Sequence, residues 1–214
     1  MKIDKKEMII TIDSELGSNA DGIARKISGI LQIPCYGSEI LDRASQISGI
    51  SCDLMHRYDG RAVHAAYDLL AEDESAIRMA SAADFITAQV FAARQLASEG
   101  PCILVDRHAN AALDGYKKHI SIFLHAEPED RAKVIAKQKN ISDEEAMKLL
   151  KRADRAYRNY YRGNNKDWGN ANYYDLTVNA SDAKKEEDMA DIIVSLLETL
   201  TGMHLRRKMD RQAG

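Results

Sequence analysis

The 214-residue chain is 45% hydrophobic and 29% charged, a balance that suits one compact domain with a small insertion and excludes general disorder. Thirty Lys+Arg against 33 Asp+Glu leave a net charge of -3, which argues against nucleic acid as a partner and leaves any anionic ligand to local arginines. Cys35, Cys52 and Cys102 form no CxxC pair, so neither a disulfide framework nor a cysteine zinc site is indicated, and reduced, buried thiols are expected. The apolar run from Met8 to Ile12 is too brief for a signal h-region or for the ~20 apolar residues of a membrane span. A cytoplasmic protein without membrane contact is the expectation.

Met8 to Ile12 is β-branched and apolar, as in a central strand buried on both faces. Turn formers fill Asp13 to Gly22, after which Ile23, Ile27, Ile30 and Leu31 recur at helical spacing. A short strand is expected at Ile33 to Tyr36, followed by a helix with Ser38 as its N-cap and Ile40, Leu41, Ala44 and Ile47 on one face. Residues Cys52 to Gly100 show no strand pattern; alanine-rich runs at Ala62 to Leu70 and Ala76 to Ala97 read as a helical insertion.

Pro101 to Asp106 and His119 to His125 read as interior parallel strands. Pro128 suits a first helical turn, which predicts a helix over Glu129 to Gln138 that turns at Lys139-Asn140. Ser142 and Glu145 form a capping-box pattern that opens a helix from Asp143 to about Tyr161, with Met147, Leu150 and Ala153 facing inward. An Asn- and Gly-rich loop follows, then a last strand at Tyr174 to Val178 and a closing helix built on Met189, Ile192, Ile193, Leu196, Leu197 and Leu200. A basic tail over 204–214 closes a single domain spanning 1–203.

Strands alternating with helices imply a parallel sheet covered on both faces, with ligands at the carboxyl ends of the strands. The loop Gly17-Ser18-Asn19-Ala20-Asp21-Gly22 opens into a helix, so its N–H groups and the helix dipole can hold a phosphate; an ordinary strand-to-helix turn is the plain alternative. It lacks the lysine and hydroxyl of GxxxxGK[ST]. Asp13, Glu15 and Asp21 lie in or beside it, and each would repel a phosphate at ~5 Å by about 3 kcal/mol at an effective dielectric of ~20. A Mg²⁺ ion held by Asp13 or Glu15, directly or through water, would reverse that sign.

Ser38 and Arg43 follow the second strand, and Asp106, Arg107 and His108 the third. Arginine offers a planar fork for phosphate. Arg152, Arg155 and Arg158 share one part of a helix surface with Asp154 among them, which reads either as a phosphate clamp or as a solvated basic face.

Together IITIDSELGSNADGIARKIS, IPCYGSEILDRASQISGIS, ILVDRHANAAL and the segment from HAEPEDRAKVIAKQKN to YYDLTVNAS resemble the cytidylate kinase-like family of P-loop proteins. The resemblance implies an α/β fold: a doubly wound parallel sheet of about five strands with helices on both faces, a phosphate loop, a helical acceptor region at about 38–99 and a lid at about 143–172. It makes Ser38 and Arg43 acceptor-binding, Arg107 the holder of the acceptor's phosphate, and Arg152, Arg155 and Arg158 the catalytic lid arginines. The implied activity is transfer of the terminal phosphoryl group of ATP, with Mg²⁺, to a nucleoside monophosphate or another small phosphorylated acceptor; a non-catalytic nucleotide or metabolite sensor is the alternative. Where the family's loop commonly reads like GSGGRE, Ala20, Asp21 and Gly22 replace its cationic and hydroxyl positions, and Asp106 stands where relatives often have glycine.

Overall fold

Ile9 to Ile12 begin strand β1 (Ile9–Ser14), whose six residues are all buried. The computed structural model describes residues 5–57, 82–164, 168–181 and 186–206, with the backbone alone at 5, 82, 83, 156 and 159–164. Four more strands follow: β2 (Cys35–Tyr36), β3 (Cys102–Val105), β4 (His119–His125) and β5 (Leu176–Asn179). All pairs are parallel, in the order β2-β3-β1-β4-β5. The doubly wound expectation therefore holds, with β1 central and β3 and β4 interior.

Alternation along β1 divides the core. Ile10 and Ile12 pack with α1 (Ala20–Leu31) and α7 (Glu186–Thr201), while Ile9 packs with α2 (Glu39–Ser48), α3 (Ala82–Glu99) and α4 (Ala109–Ala112). Thr11 and Asp13 share the face of Ile9 by that period, which makes a buried polar seam there. Thr11 Oγ1 lies 2.7 Å from His119 Nε2, and Ser121 on β4 accepts and donates against Asp175.

Outside the sheet, α5 (Pro128–Lys139) and α6 (Asp143–Asn164) make a satellite core from Ala132, Ile135, Ala136, Ala146, Leu149 and Leu150, with Leu16 against it. Pro128 occupies the first turn of α5, and Asn140 ends it with φ 53°. The Ser142–Glu145 capping box forms, with Glu145 N–H donating to Ser142 Oγ at 3.3 Å and Ser142 N–H to Glu145 Oε2 at 3.0 Å. Ser38 stands at the cap position of α2 but makes no side-chain cap bond. Cys102 is buried as expected and Cys35 is half-buried; Cys52 instead is exposed at the start of a helical segment over 52–57.

Leu205 is buried and Arg206 donates to Asp191 at 2.9 Å. The run Ala62 to Leu70, part of Ala76 to Ala97 and most of the basic tail lie outside the described residues. No helix among the described residues is long and apolar enough to cross a membrane.

Candidate functional site

The loop from Glu15 to Asn19 joins β1 to the N-terminus of α1. It leaves the sheet with Glu15 N–H bonded to Leu124 O and tightens with Ser18 N–H bonded to Glu15 O. Gly17 adopts φ +86°, and a Cβ there would meet the Arg131 carbonyl oxygen at 2.8 Å. A side chain is thus excluded by both backbone and space. Asn19 takes φ 59° just before α1, a conformation that asparagine tolerates and glycine adopts freely. The Ser18 side chain is 4% exposed, and its hydroxyl has no hydrogen-bond partner among the described residues.

Two hollows border this loop. A cavity of about 410 Å³ is lined by residues 14–22 together with Asp106, Arg107, Gln138, Tyr157 and Glu186. A second, of about 250 Å³, shares Gly17, Ser18 and Asn19 and extends past Val134, Ala126 and Ala180 to Lys133 and Asp130, which pair at 3.1 Å. Glu15, Asp21, Asp106 and Glu186 are the carboxylates around the larger cavity, and Arg107 is the guanidinium among its described lining residues. At ordinary separations this lining repels a bare polyphosphate.

Asp106, Arg107 and His108 follow β3 with φ of 56°, 52° and 60°. Such left-handed backbone costs roughly 1–2 kcal/mol per non-glycine residue, less for Asp, and persists where the surroundings enforce it. Here the turn is held by Asp106 N–H on Ile12 O and by Ser14, whose backbone N–H donates to Asp106 Oδ1 at 2.9 Å and whose hydroxyl meets Oδ2 at 3.1 Å. Burial, then the neighbouring Asp13 charge, pushes the Asp106 carboxyl up to about 8, against the pull of Arg107.

Arg107 folds back so that Nη1 donates to Val105 O at 3.2 Å. A Cβ at Gly37 would meet Asp21 Oδ1, Glu39 Oε2 and Arg107 Nη1 at 2.9, 3.7 and 3.9 Å. The three charged groups therefore converge over this glycine, and Arg107 shares its charge with carboxylates.

Of the two expected metal ligands, Asp13 is buried beneath Tyr174 and Glu15 stands on the cavity. Asp13 is 1% exposed and accepts from Tyr174 Oη at 2.8 Å. Burial pushes its carboxyl up to about 6, against hydrogen bonds from Tyr174 and Asn110. Glu15 does line the cavity, but it accepts from Ala126 N–H at 3.2 Å and pairs with Arg131 at 3.2 Å. Asp21, Asp106 and Glu186 are further carboxylates on the lining of the cavity.

Arg131 is the residue that sequence reasoning missed. It is 2% exposed and donates to Leu16 O through Nε at 2.8 Å, while its fork reaches Asp154 at 2.5 and 3.2 Å. One buried guanidinium thus ties the loop to α6. Its signal was its position: a charged residue on the same stripe of α5 as Ala132, Ile135 and Ala136. Asp154, which sits among the arginines of α6, pairs with this distant one.

Arg152, Arg155 and Arg158 are exposed, and none lines either cavity; Arg158 Nε donates to Asp154 O at 3.1 Å within the helix. Arg43 pairs at 2.5 Å with Glu99, which precedes β3 at its amino end, and exposed Ser38 also stands outside the cavity lining. From α6 it is Tyr157 that reaches the wall, stacked 5.7 Å from Trp168, which meets Phe123 edge-on at 5.5 Å. Phe123 packs 5.0 Å from Tyr174, so an aromatic series runs from the cavity to Asp13. The side chains of Tyr160, Tyr161, Arg162 and Lys166 lie outside the described residues.

The family model described as the cytidylate kinase-like family matches residues 9–182, including the loop, the left-handed turn and α6. The chain belongs to the cytidylate kinase-like family. This family member is similar to an uncharacterized protein from Eubacterium ventriosum at 22% identity, covering 91% of this chain and 99% of that one with a TM-score of 0.64. Shikimate kinase from Bacteroides thetaiotaomicron matches at 12% identity, 92% and 99% coverage and a TM-score of 0.52. A gluconokinase from Sinorhizobium meliloti matches at 12%, with 93% and 96% coverage and a TM-score of 0.54. These likenesses establish an α/β kinase fold for the cytidylate kinase-like chain. No curated protein matches its sequence.

Proposed function

We propose that this chain binds ATP with Mg²⁺ at the β1–α1 loop and transfers the terminal phosphoryl group to a small phosphorylated acceptor, a nucleoside monophosphate by the family resemblance. The observation that carries the reading is the buried Ser18 hydroxyl, lacking a partner among the described residues, at the helix N-terminus that opens on both cavities. A phosphate there would take the hydroxyl and the free N–H groups of the first turn of α1. The smaller cavity offers the apolar flank of Ala126, Val134 and Ala180 for a base, with Lys133 and Asp130 at its rim. Arg107 would hold an acceptor phosphate at the larger cavity.

The lining suits Mg²⁺ by its chemistry: Asp21 supplies a hard carboxylate oxygen on the cavity, and Asp106 would join it by giving up the proton it otherwise keeps to about pH 8. Bound there, the ion would neutralise phosphate charge and polarise the transferred group. The chain's own part is to orient the phosphates with backbone N–H groups and Ser18, to hold the acceptor with Arg107, and to exclude water with Tyr157. The lid arginines would have to turn inward to contribute.

One observation favours a second reading, a nucleotide sensor without turnover: Ala20 occupies the usual lysine's place and carboxylates surround the cavity. Incubation with Mg·ATP and a panel of nucleoside monophosphates separates the two. Acceptor-dependent ADP formation supports transfer; calorimetric binding without ADP supports the sensor; no nucleotide binding with Mg²⁺ defeats both.

A further inference from the structure

Away from the nucleotide cavity, the end of α2 meets the helical segment over 52–57 at the surface. Cys52 and His56 are four residues apart on that segment, so both side chains rise from one face. Each points its ligating atom at the same oxygen of Asp42 on α2: Cys52 Sγ lies 3.1 Å and His56 Nε2 2.7 Å from Asp42 Oδ1. Sulfur, nitrogen and carboxylate oxygen all fall within 4.8 Å of one another.

We propose that Asp42, Cys52 and His56 form a binding site for a divalent transition metal of the zinc class. Thiolate, imidazole and carboxylate are the donor types that such an ion takes, and three protein ligands leave a fourth position to water. Tetrahedral bonding at zinc distances puts donor atoms about 3.3–3.5 Å apart, so the 3.1 Å edge from Cys52 to Asp42 would lengthen by about 0.3 Å and the 2.7 Å edge from His56 by about 0.7 Å. The nearest basic side chain of the segment, Arg57, is held by Asp53 at 2.6 Å, which leaves the carboxylate of Asp42 to the imidazole and the thiol. A bound ion would fasten α2, which begins beside Ser38, to the chain that follows it.

The test is titration of the reduced, full-length protein with Co²⁺, read at the near-ultraviolet thiolate-to-cobalt charge-transfer band, with Zn²⁺ competing. Micromolar binding of one equivalent is expected, with a Zn²⁺-dependent rise in melting temperature. Cys52→Ser should abolish the band, and Asp42→Asn or His56→Asn should weaken Zn²⁺ by at least the ~10–100-fold that loss of an outer-shell partner costs a metal site. The His56 and Asp42 side chains are 40% and 51% exposed, so the apo variants should melt with the parent. Millimolar affinity, no thiolate band, or a band that survives Cys52→Ser and so belongs to Cys35 or Cys102 would overturn the site.

Discussion

Arg131 and Asp154 face each other as fork and carboxylate, at 2.5 and 3.2 Å, across the junction of α5 and α6. The same guanidinium holds Leu16 O and Glu15. The loop that would cradle phosphate and the helix that would cover it are therefore set by one buried charge. Removing a single partner from such a group leaves the other charges desolvated, at a cost of about 3–5 kcal/mol. Arg131→Met should lose about that much in urea unfolding. Arg131→Lys should recover only part, since a lysine cannot span Leu16 O and both oxygens of Asp154.

Gly17→Ala should destabilise the fold by at least about 1–2 kcal/mol, the usual penalty for an L-residue in left-handed backbone. The close Arg131 carbonyl adds to it. Nucleotide affinity, measured by calorimetry, should fall with it, because the loop must move to admit the methyl group.

Asp106 keeps a proton in the folded chain up to about pH 8, whereas the unfolded chain releases it near the ordinary 3.8. The unfolded state then binds fewer protons between these values, so this residue makes stability fall as pH rises from about 4 to 8. Asp106→Asn keeps a left-handed-tolerant side chain and an acceptor for Ser14. Without Mg²⁺, its stability should exceed the parent's by a margin that widens toward pH 8.

His108 acts at the other end of the range. Burial pushes its imidazole down to about 4 from 6.5, so protonation favours the unfolded chain and stability is lost as pH falls from about 6.5 to 4. His108→Asn, which suits φ 60°, should flatten this acid limb by up to one proton in the pH dependence of unfolding.

Trp168 is the single tryptophan, and it stacks on Tyr157 at the cavity wall. Titration with Mg·ATP should change its emission, while ATP in excess chelator should change it little. Asp21→Asn should narrow that difference: a unit charge removed at ~5–7 Å is worth about 2–3 kcal/mol before screening. An emission change that is equal with and without Mg²⁺ would contradict the acidic-cavity account.

Local order was legible in the chain itself. The β-branched runs at Ile9 to Ile12 and His119 to His125, Pro128 at a helix start and the Ser142–Glu145 box became the elements they signalled. Each depends on neighbours within a few residues. The loop's position was legible too, because a strand, a glycine turn and a helix follow one another directly. Arg152, Arg155 and Arg158 could be grouped but not aimed, since helical spacing specifies a shared face and not what that face meets.

Composition and periodicity by themselves determined that β1 is central, that helices cover the sheet and that the β1–α1 loop stands at a strand's carboxyl end. Only the tertiary structure decided that Arg131 and not an arginine of α6 pairs with the Asp154 carboxylate, that Asp13 is sealed beneath Tyr174, and that three consecutive residues after β3 are left-handed. The reason is physical. Apolar burial follows a repeating pattern along the chain, but a buried charge takes whichever partner the packing of distant segments places within its short reach.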